Sequence, residues 1–356
     1  MIKTLSVTNL DPIKNLDISF GSRLNLITGD NGLGKTFLLD LIWYVMTRQW
    51  PAEVNPQLTG GYAARPVDHS SSIGARIQGQ RTADIARSSY SVESDRWIFE
   101  KASNVASGMV FYLMSDGSFA LWDAERRCCG KRIDESPPAL VLTQKQVFNG
   151  LAGESDAKLC NGLIADWAVW SDSIRYAKLA EETNHVLKTL SPSGEAYSVG
   201  LPVRVGINDV RRVPTIKMPY GTDVPIIMAS SAVKRIAELA YMLVWFVNEH
   251  AEIVGLKDKG LSRRVTLLID EAESHLHPRW QRSIVPALLD AVEVLYKHRG
   301  SSVSTQVILP TRSPLIRSSV SARFDAEQDK WLDLILNNGQ VSLTDRQYPG
   351  SNDIEW

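Results

Sequence analysis

The residues best suited to chemistry form one run, Gly29-Asp30-Asn31-Gly32-Leu33-Gly34-Lys35-Thr36, which fits G-x-x-x-x-G-K-[ST] at every fixed position. Glycines let a backbone curl so that successive N–H groups aim at phosphate oxygens, and a following helix adds the positive end of its dipole. Lys35 would then reach the β- and γ-phosphates of ATP, and the Thr36 hydroxyl would ligate Mg²⁺. The whole run from Gly29 to Thr36 is therefore a candidate ATP contact. A second run, Val265-Thr266-Leu267-Leu268-Ile269-Asp270-Glu271, is an apolar stretch ending in two acids. Asp270 at the end of a buried strand suits the Mg²⁺ shell. Glu271 suits a general base that takes a proton from the attacking water.

These side chains need strands and helices to hold them. Residues 2–9 and 16–20 alternate apolar and polar, as half-buried strands do, and Leu24 to Thr28 is a continuous apolar run of the central-strand type. With a helix over Phe37 to Met46, this makes a strand–loop–helix unit around the glycines. Two further strand–helix units close the chain: Val265 to Ile269 with a helix over 279–297, and Gln306 to Leu309 with the segment after it. Ile236, Leu239, Ala240, Leu243 and Phe246 recur at i, i+3, i+4, i+7 and mark a long helix.

Between these units the pattern changes. Residues 50–89, with Pro51, Pro56, Gly60, Gly61 and Pro66, read as loop-rich. Arg96 to Glu100, Met109 to Met114 and Ser118 to Trp122 read as an antiparallel meander turning at Ser115-Asp116-Gly117. A strand at Ala139 to Thr143 and a helical region from about Ser155 to Leu190 come next. The expected class is α/β, a single module over 1–356 interrupted by insertions. Its nucleotide-binding core is 1–48 and 200–356, its loop-rich segment and β lobe 49–143, and its helical insertion 144–199.

Composition narrows the class further. Of 356 residues, 44% are hydrophobic and 22% charged, so the chain can bury a core. A net charge of −1 excludes a globally basic nucleic-acid binder but not a local patch. The N-terminus lacks a signal-peptide core, and Ile226 to Val247 is broken by Ser230, Ser231, Lys234, Arg235 and Glu238, so no membrane association is expected. Three cysteines, the adjacent Cys128 and Cys129 and a distant Cys160, fit reduced thiols in a cytoplasmic protein.

The residues after the two acids, Glu271-Ala272-Glu273-Ser274-His275-Leu276-His277-Pro278, resemble the D-E-x-E-x-H-L-H-P segment of ABC-type ATPases in the OLD, RecF and SMC group. The resemblance covers most of the chain and is weakest at 50–95. It implies an ABC-type P-loop NTPase with a mixed central sheet, an antiparallel β lobe and a helical insertion. It also implies a dimer or higher oligomer whose composite sites each hold ATP and Mg²⁺ between one subunit's phosphate loop and the other's signature motif.

That motif falls on Met228-Ala229-Ser230-Ser231-Ala232, where Ser230 and Ser231 would reach the γ-phosphate of the partner's ATP. A helix N-cap is their other reading. The family's glutamine, which contacts Mg²⁺ and the attacking water, is matched by Gln144, with Gln146 close behind; an exposed loop glutamine is the plain alternative. His275 and His277, with Glu273, have the residue types of a metal site, but a structural turn is the preferred reading.

Two positions depart from the family. Ala232 replaces the signature glycine, and Thr311-Arg312-Ser313-Pro314 replaces T-H-S-P, putting Arg312 where a switch histidine would touch the γ-phosphate. Arg312 either pairs with that phosphate as a fixed charge, favouring the ATP-bound dimer over rapid turnover, or faces solvent with the switch lost.

The competing classes are distinguishable. Lys35 to Gln144 spans 109 residues and Ser230 to Asp270 spans 40, both longer than in transporter subunits, and no heptad run supplies the arms of a structural SMC protein. The expectation is a compact ATPase of an anti-phage defence or DNA-processing system, without a fused nuclease, controlling a separate nuclease-like effector. Alternatives are an ATP-dependent sensor or scaffold with slow or absent hydrolysis, and a RecF-like DNA-repair clamp. Candidate DNA contacts are Arg65, Arg76, Arg81 and Arg87, and the cluster Arg204, Arg211, Arg212 and Lys217, which also read as ordinary solvated charge. Trp167 and Trp170 read as core, with partner docking as the lesser option.

Overall fold

The computed structural model describes residues 1–67, 70–78, 83–100, 106–126, 136–153, 157–337 and 339–346. Strands β1 (Ile2–Thr8), β2 (Asn15–Ser19) and β3 (Leu24–Gly29) lead into helix α1 (Lys35–Thr47). A short α2 (Pro51–Val54) precedes β4 (Ser72–Gln78), β5 (Ala83–Ser91) and β6 (Arg96–Phe99). Next come β7 (Met109–Leu113), β8 (Phe119–Asp123), β9 (Leu140–Leu142) and α3 (Gln144–Asn149). The hairpin of β10 (Leu151–Ala152) and β11 (Lys158–Cys160) is followed by α4 (Leu163–Asp172) and α5 (Ala177–Leu190). A small sheet of β12 (Ser198–Val203), β13 (Val213–Lys217) and β14 (Asp223–Pro225) leads to the long α6 (Ser231–Leu256). The chain continues with β15 (Arg264–Ile269), α7 (Pro278–Gln281), α8 (Ile284–Lys297), β16 (Ser304–Pro310), α9 (Pro314–Val320), β17 (Lys330–Asn337) and β18 (Gln340–Arg346).

The core is an eight-stranded mixed sheet in the order β18-β17-β3-β16-β15-β7-β8-β9. The run from β17 to β7 is parallel, with antiparallel strands added at both edges. Alternate residues of each strand face opposite sides, so the sheet separates two apolar layers. Phe111, Leu113, Leu267 and Ile269 pack with α6, α8 and the helices of the insertion. Val110, Tyr112, Leu268 and Ile308 pack with α1 and the β lobe. Parallel order carries the C-terminal ends of β3, β15 and β16 to the same edge, and that edge carries the chemistry.

The β lobe is a five-stranded antiparallel sheet, β2-β1-β4-β5-β6, and it corrects the expectation of a loop-rich 50–89 segment. Ile73, Ala75 and Ile77 of β4 do alternate inward, but the two intervening residues are Gly74 and Arg76, which hide the period. Gly74 is small because a Cβ there would meet the Ser6 hydroxyl at 2.7 Å. The expected meander divides between two sheets: Arg96–Phe99 pairs with β5 in the lobe, whereas Met109–Leu113 lies parallel to β15 in the core. The core sheet therefore takes β7, β8 and β9 from the 49–143 segment.

The helical region expected from about Ser155 is preceded by strand β11 of the β10–β11 hairpin, and Gly162, at φ 90°, starts α4. The helix expected over 279–297 is interrupted at Ser283, which leaves helical geometry at φ −131° between α7 and α8. Trp167 and Trp170 are buried against Tyr241 of α6, as core residues. No helix among the described residues is long and apolar enough to cross a membrane. Cys128, Cys129 and Arg81 lie outside the described residues, and Cys160 is a buried free thiol.

Candidate functional site

The phosphate loop joins β3 to α1 through backbone conformations that few side chains allow. Gly34, the N-cap of α1, has φ 83°, and a Cβ there would lie 3.1 Å from Pro12 and 3.2 Å from Ile13. Gly29 has φ 144°, and a Cβ would meet the Leu334 carbonyl oxygen at 2.6 Å. The Lys35 ammonium folds back over the loop, donating to the carbonyls of Gly29 at 2.8 Å and Asp30 at 2.7 Å. Partial burial lowers its pKa, and the neighbouring Arg312 cation adds to that effect. Leu33 instead turns inward and joins the core beneath α1.

From β15, Asp270 meets this loop. The Thr36 hydroxyl donates to Asp270 Oδ2 at 2.8 Å, joining positions far apart in sequence. Asp270 is 1% exposed, and burial raises its pKa to about 6, with the charges of Glu271 and Glu273 adding and hydrogen bonds from Thr36 and Ser115 opposing. Glu271 comes next at φ 45°, a kink that turns the chain off the strand end. These residues line a cavity of 730 Å³ with Asn31, Gly32, Gly34, Lys35 and Thr36, an acceptable size for a nucleotide. Thr36 and Asp270 are an oxygen pair of the kind a hard divalent cation selects, so the donor set fits Mg²⁺.

Arg312 lies across the same cavity. Its guanidinium donates to Asn31 Oδ1 at 3.3 Å, and its backbone N–H donates to Glu273 Oε1 at 3.1 Å. The other Glu273 oxygen accepts the Thr311 hydroxyl at 2.8 Å. Glu273 thus ties the segment after the two acids to the Thr311-Arg312 turn. His277 caps α7, its Nδ1 accepting from the Arg279 N–H at 3.3 Å, and His275 is exposed. Among the described residues no group of three or more His, Cys, Asp or Glu side chains is arranged to hold a metal.

Gln144, Gln146, Ser230 and Ser231 do not line this cavity. Gln144 opens α3 and donates to Glu238 of α6 at 3.0 Å. Gln146 closes a capping box with Thr143 and accepts from Asn55 at 2.8 Å. Ser230 is the N-cap of α6, its hydroxyl accepting from the Val233 N–H, and Ser231 stands exposed beside it. Arg204 and Arg211 are engaged locally, with backbone carbonyls and with Asp209. Arg87 pairs loosely with Glu100 at 3.9 Å.

Some cavity residues are not evident from the sequence. Arg65, by its sequence context a candidate DNA contact, lines the cavity, as do Asp11, Pro12, Tyr62 and Asp40. Asp40 is 6% exposed, its pKa is pushed up to about 7 by burial, and its Oδ1 accepts the Tyr112 hydroxyl at 2.9 Å. Its signal was present: it is the sole acid in an otherwise apolar helix, four residues after Thr36.

Sheet order, phosphate loop and the Thr36–Asp270 junction together define an α/β fold of the ABC-type P-loop NTPase class. Comparison with known proteins agrees: the family model described as an AAA domain matches residues 4–115. The chain is similar to the Septu protein PtuA of Bacillus thuringiensis, at 23% identity over 329 residues, covering 88% of this chain and 72% of that one. Among solved structures it is similar to the SMC head domain from Thermotoga maritima, with a TM-score of 0.47 and 14% identity, covering 97% of this chain and 99% of that one. The recombination mediator protein RecF aligns at a TM-score of 0.44 and 13% identity, over 96% and 98% of the two chains.

Proposed function

We propose that this chain is the ATP-binding and ATP-hydrolysing subunit of a bacterial anti-phage defence or DNA-processing system. Two copies close on ATP at composite sites, and the closed dimer controls a separate effector such as a nuclease. The observation that carries this reading is the meeting of Lys35 and Thr36 with Asp270 and Glu271 around one cavity. Similarity to a Septu protein PtuA supports the defence assignment.

In this reading the loop N–H groups and Lys35 hold the phosphates, while Thr36 and Asp270 hold Mg²⁺, which supplies charge neutralisation when bound. Glu271, at the strand end, takes the proton of the attacking water. Arg312 adds a fixed positive charge opposite the phosphate loop, and Ser230 and Ser231 reach the ATP of the facing subunit. Gln144 reports Mg²⁺ occupancy once it leaves Glu238.

Measuring assembly size and ATP turnover in wild type, Lys35→Ala and Glu271→Gln tests this reading. Lys35→Ala is expected to lose ATP binding, and Glu271→Gln to bind ATP, remain assembled and turn over slowly. A Glu271→Gln protein that neither traps an ATP-bound assembly nor slows turnover would remove Glu271 from its role. A second reading, a sensor or scaffold with slow hydrolysis, is favoured by Ala232 and Arg312 at the positions of the signature glycine and switch histidine. ATPase activity stimulated by DNA and suppressed by salt would point instead to a RecF-like clamp.

A further inference from the structure

Helix α1 carries a single charged side chain after Lys35, that of Asp40, and its carboxylate is almost wholly buried. Asp40 follows Thr36 by one helical turn, so the two side chains share a face. Helical side chains lean toward the N-terminus, which tilts the Asp40 carboxylate back over the turn that holds Thr36. From the sheet, Tyr112 of β7 stands opposite Leu268 of β15, and Asp270 comes two residues later on the same face. The Asp270 N–H still bonds the Leu113 carbonyl at 2.9 Å, which keeps it in line with the strand. Thr36, Asp40, Tyr112 and Asp270 therefore meet at the seam between α1 and the sheet.

The bonding of the Asp40 carboxylate is incomplete. Its Oδ1 accepts the Tyr112 hydroxyl at 2.9 Å, whereas its Oδ2 has no hydrogen bond among the described residues. Neither Asp40 nor Asp270 forms an ion pair with a Lys or Arg side chain among the described residues, and the two carboxylates lie close enough to repel each other. A buried carboxylate is costly unless an opposite charge compensates it. For holding Tyr112 alone, a neutral Asn would serve at lower cost. Asp40 borders the cavity that contains Thr36 and Asp270, so the cavity is where a compensating cation can sit.

Mg²⁺ demands octahedral oxygen coordination and keeps several of its ligands as waters, whose O–H groups need acceptors. We propose that Asp40 is a positioning residue of the Mg²⁺ site, its Oδ2 accepting a hydrogen bond from a water of the cation's shell. The assignment rests on the reading of Thr36 and Asp270 as the residues that hold the cation. Tyr112 fixes the carboxylate through the other oxygen, so the acceptor is in place before the cation arrives. Outer partners of this kind govern metal affinity by about ten- to a hundredfold.

Asp40→Asn keeps the size of the side chain and the acceptor for Tyr112, but it puts an amide donor where Oδ2 faces the cavity. The test follows the melting temperature as Mg²⁺ is added to protein saturated with a non-hydrolysable ATP analogue. The affinity for the analogue is measured separately in EDTA. Mg²⁺ is expected to stabilise wild type, and Asp40→Asn to need about tenfold more Mg²⁺ or above for half the effect. Without Mg²⁺ the variant should bind the analogue as wild type does and melt no lower, because a buried charge has been removed. The double variant Asp40→Leu with Tyr112→Phe, which replaces both hydrogen-bond partners by apolar groups, should show the same loss of Mg²⁺ response. If Asp40 serves only to hold Tyr112, Asp40→Asn will match the wild-type Mg²⁺ midpoint, and that result overturns the proposal alone. A wild type that binds the analogue and gains nothing from Mg²⁺ would instead refute the cation site at Thr36 and Asp270, and the role of Asp40 with it.

Discussion

Glu238 offers the sharpest test of the electrostatics that join the long helix to Gln144. Its carboxyl is fully buried on α6, with Oε1 accepting from Gln144 at 3.0 Å and Oε2 lacking a hydrogen-bond partner. Burial raises its pKa from 4.5 to about 7, although the nearby Arg235 cation and the Gln144 hydrogen bond oppose the rise. The charged form is the disfavoured one inside the fold. Its contribution to stability is therefore full below pH 4.5, declines as pH rises, and is lost through about pH 7. A displacement of that size corresponds to about 3 kcal/mol. Spread over the melting entropy expected of a 356-residue chain, ~0.75 kcal/mol per degree, it amounts to about 4 °C.

Glu238→Gln keeps an acceptor for Gln144 and removes the titration. Thermal unfolding of both proteins from about pH 5 to about pH 8.5 should show wild type losing about 4 °C relative to the variant. Asp40 and Asp270 also titrate in this window, but both proteins share them, so the difference isolates Glu238. Parallel curves across the range would refute burial as the source of the shift.

The same geometry sets three further outcomes. Arg312→Ala is expected to weaken ATP binding by about tenfold while Arg312→His restores faster turnover, as nucleotide titration and phosphate release would show, and unchanged values in both would place Arg312 outside the site. The Arg299–Glu182 pair, at 2.6 Å with side chains 7% and 0% exposed, joins α5 to the end of α8, so Arg299→Ala should cost about 3–5 kcal/mol in denaturant unfolding. An effect below about 1 kcal/mol would mean that water reaches Glu182. Gly34→Ala, which puts a methyl at φ 83° against Pro12 and Ile13, should abolish ATP binding and lower the melting temperature, and a variant that binds ATP normally would contradict the strained-loop account.

Much of the core was legible because its signals are local. The phosphate loop carries its own backbone geometry in Gly29, Gly32 and Gly34, and β3, β15 and β16 announce themselves as short apolar runs buried on both faces. Strands β1, β2 and β6 of the β lobe were legible, but β4 was not, because buried Gly74 and exposed Arg76 between its inward residues hide the period. Gln144 and Ser230 carry only a motif position in the sequence, and their contacts with Glu238 and with the start of α6 depend on where that helix packs.

The amino-acid sequence alone determined that a phosphate-binding loop follows one buried strand and that paired acids end another, since each is a matter of neighbouring residues. Tertiary structure alone decided that Thr36 meets Asp270, that Arg312 faces Asn31, and that Asp40 and Arg65 join the same cavity. The physical reason is the parallel order of the sheet. Strands distant in the chain end at one edge only after their apolar faces are buried together, and no local pattern encodes which of their ends will touch.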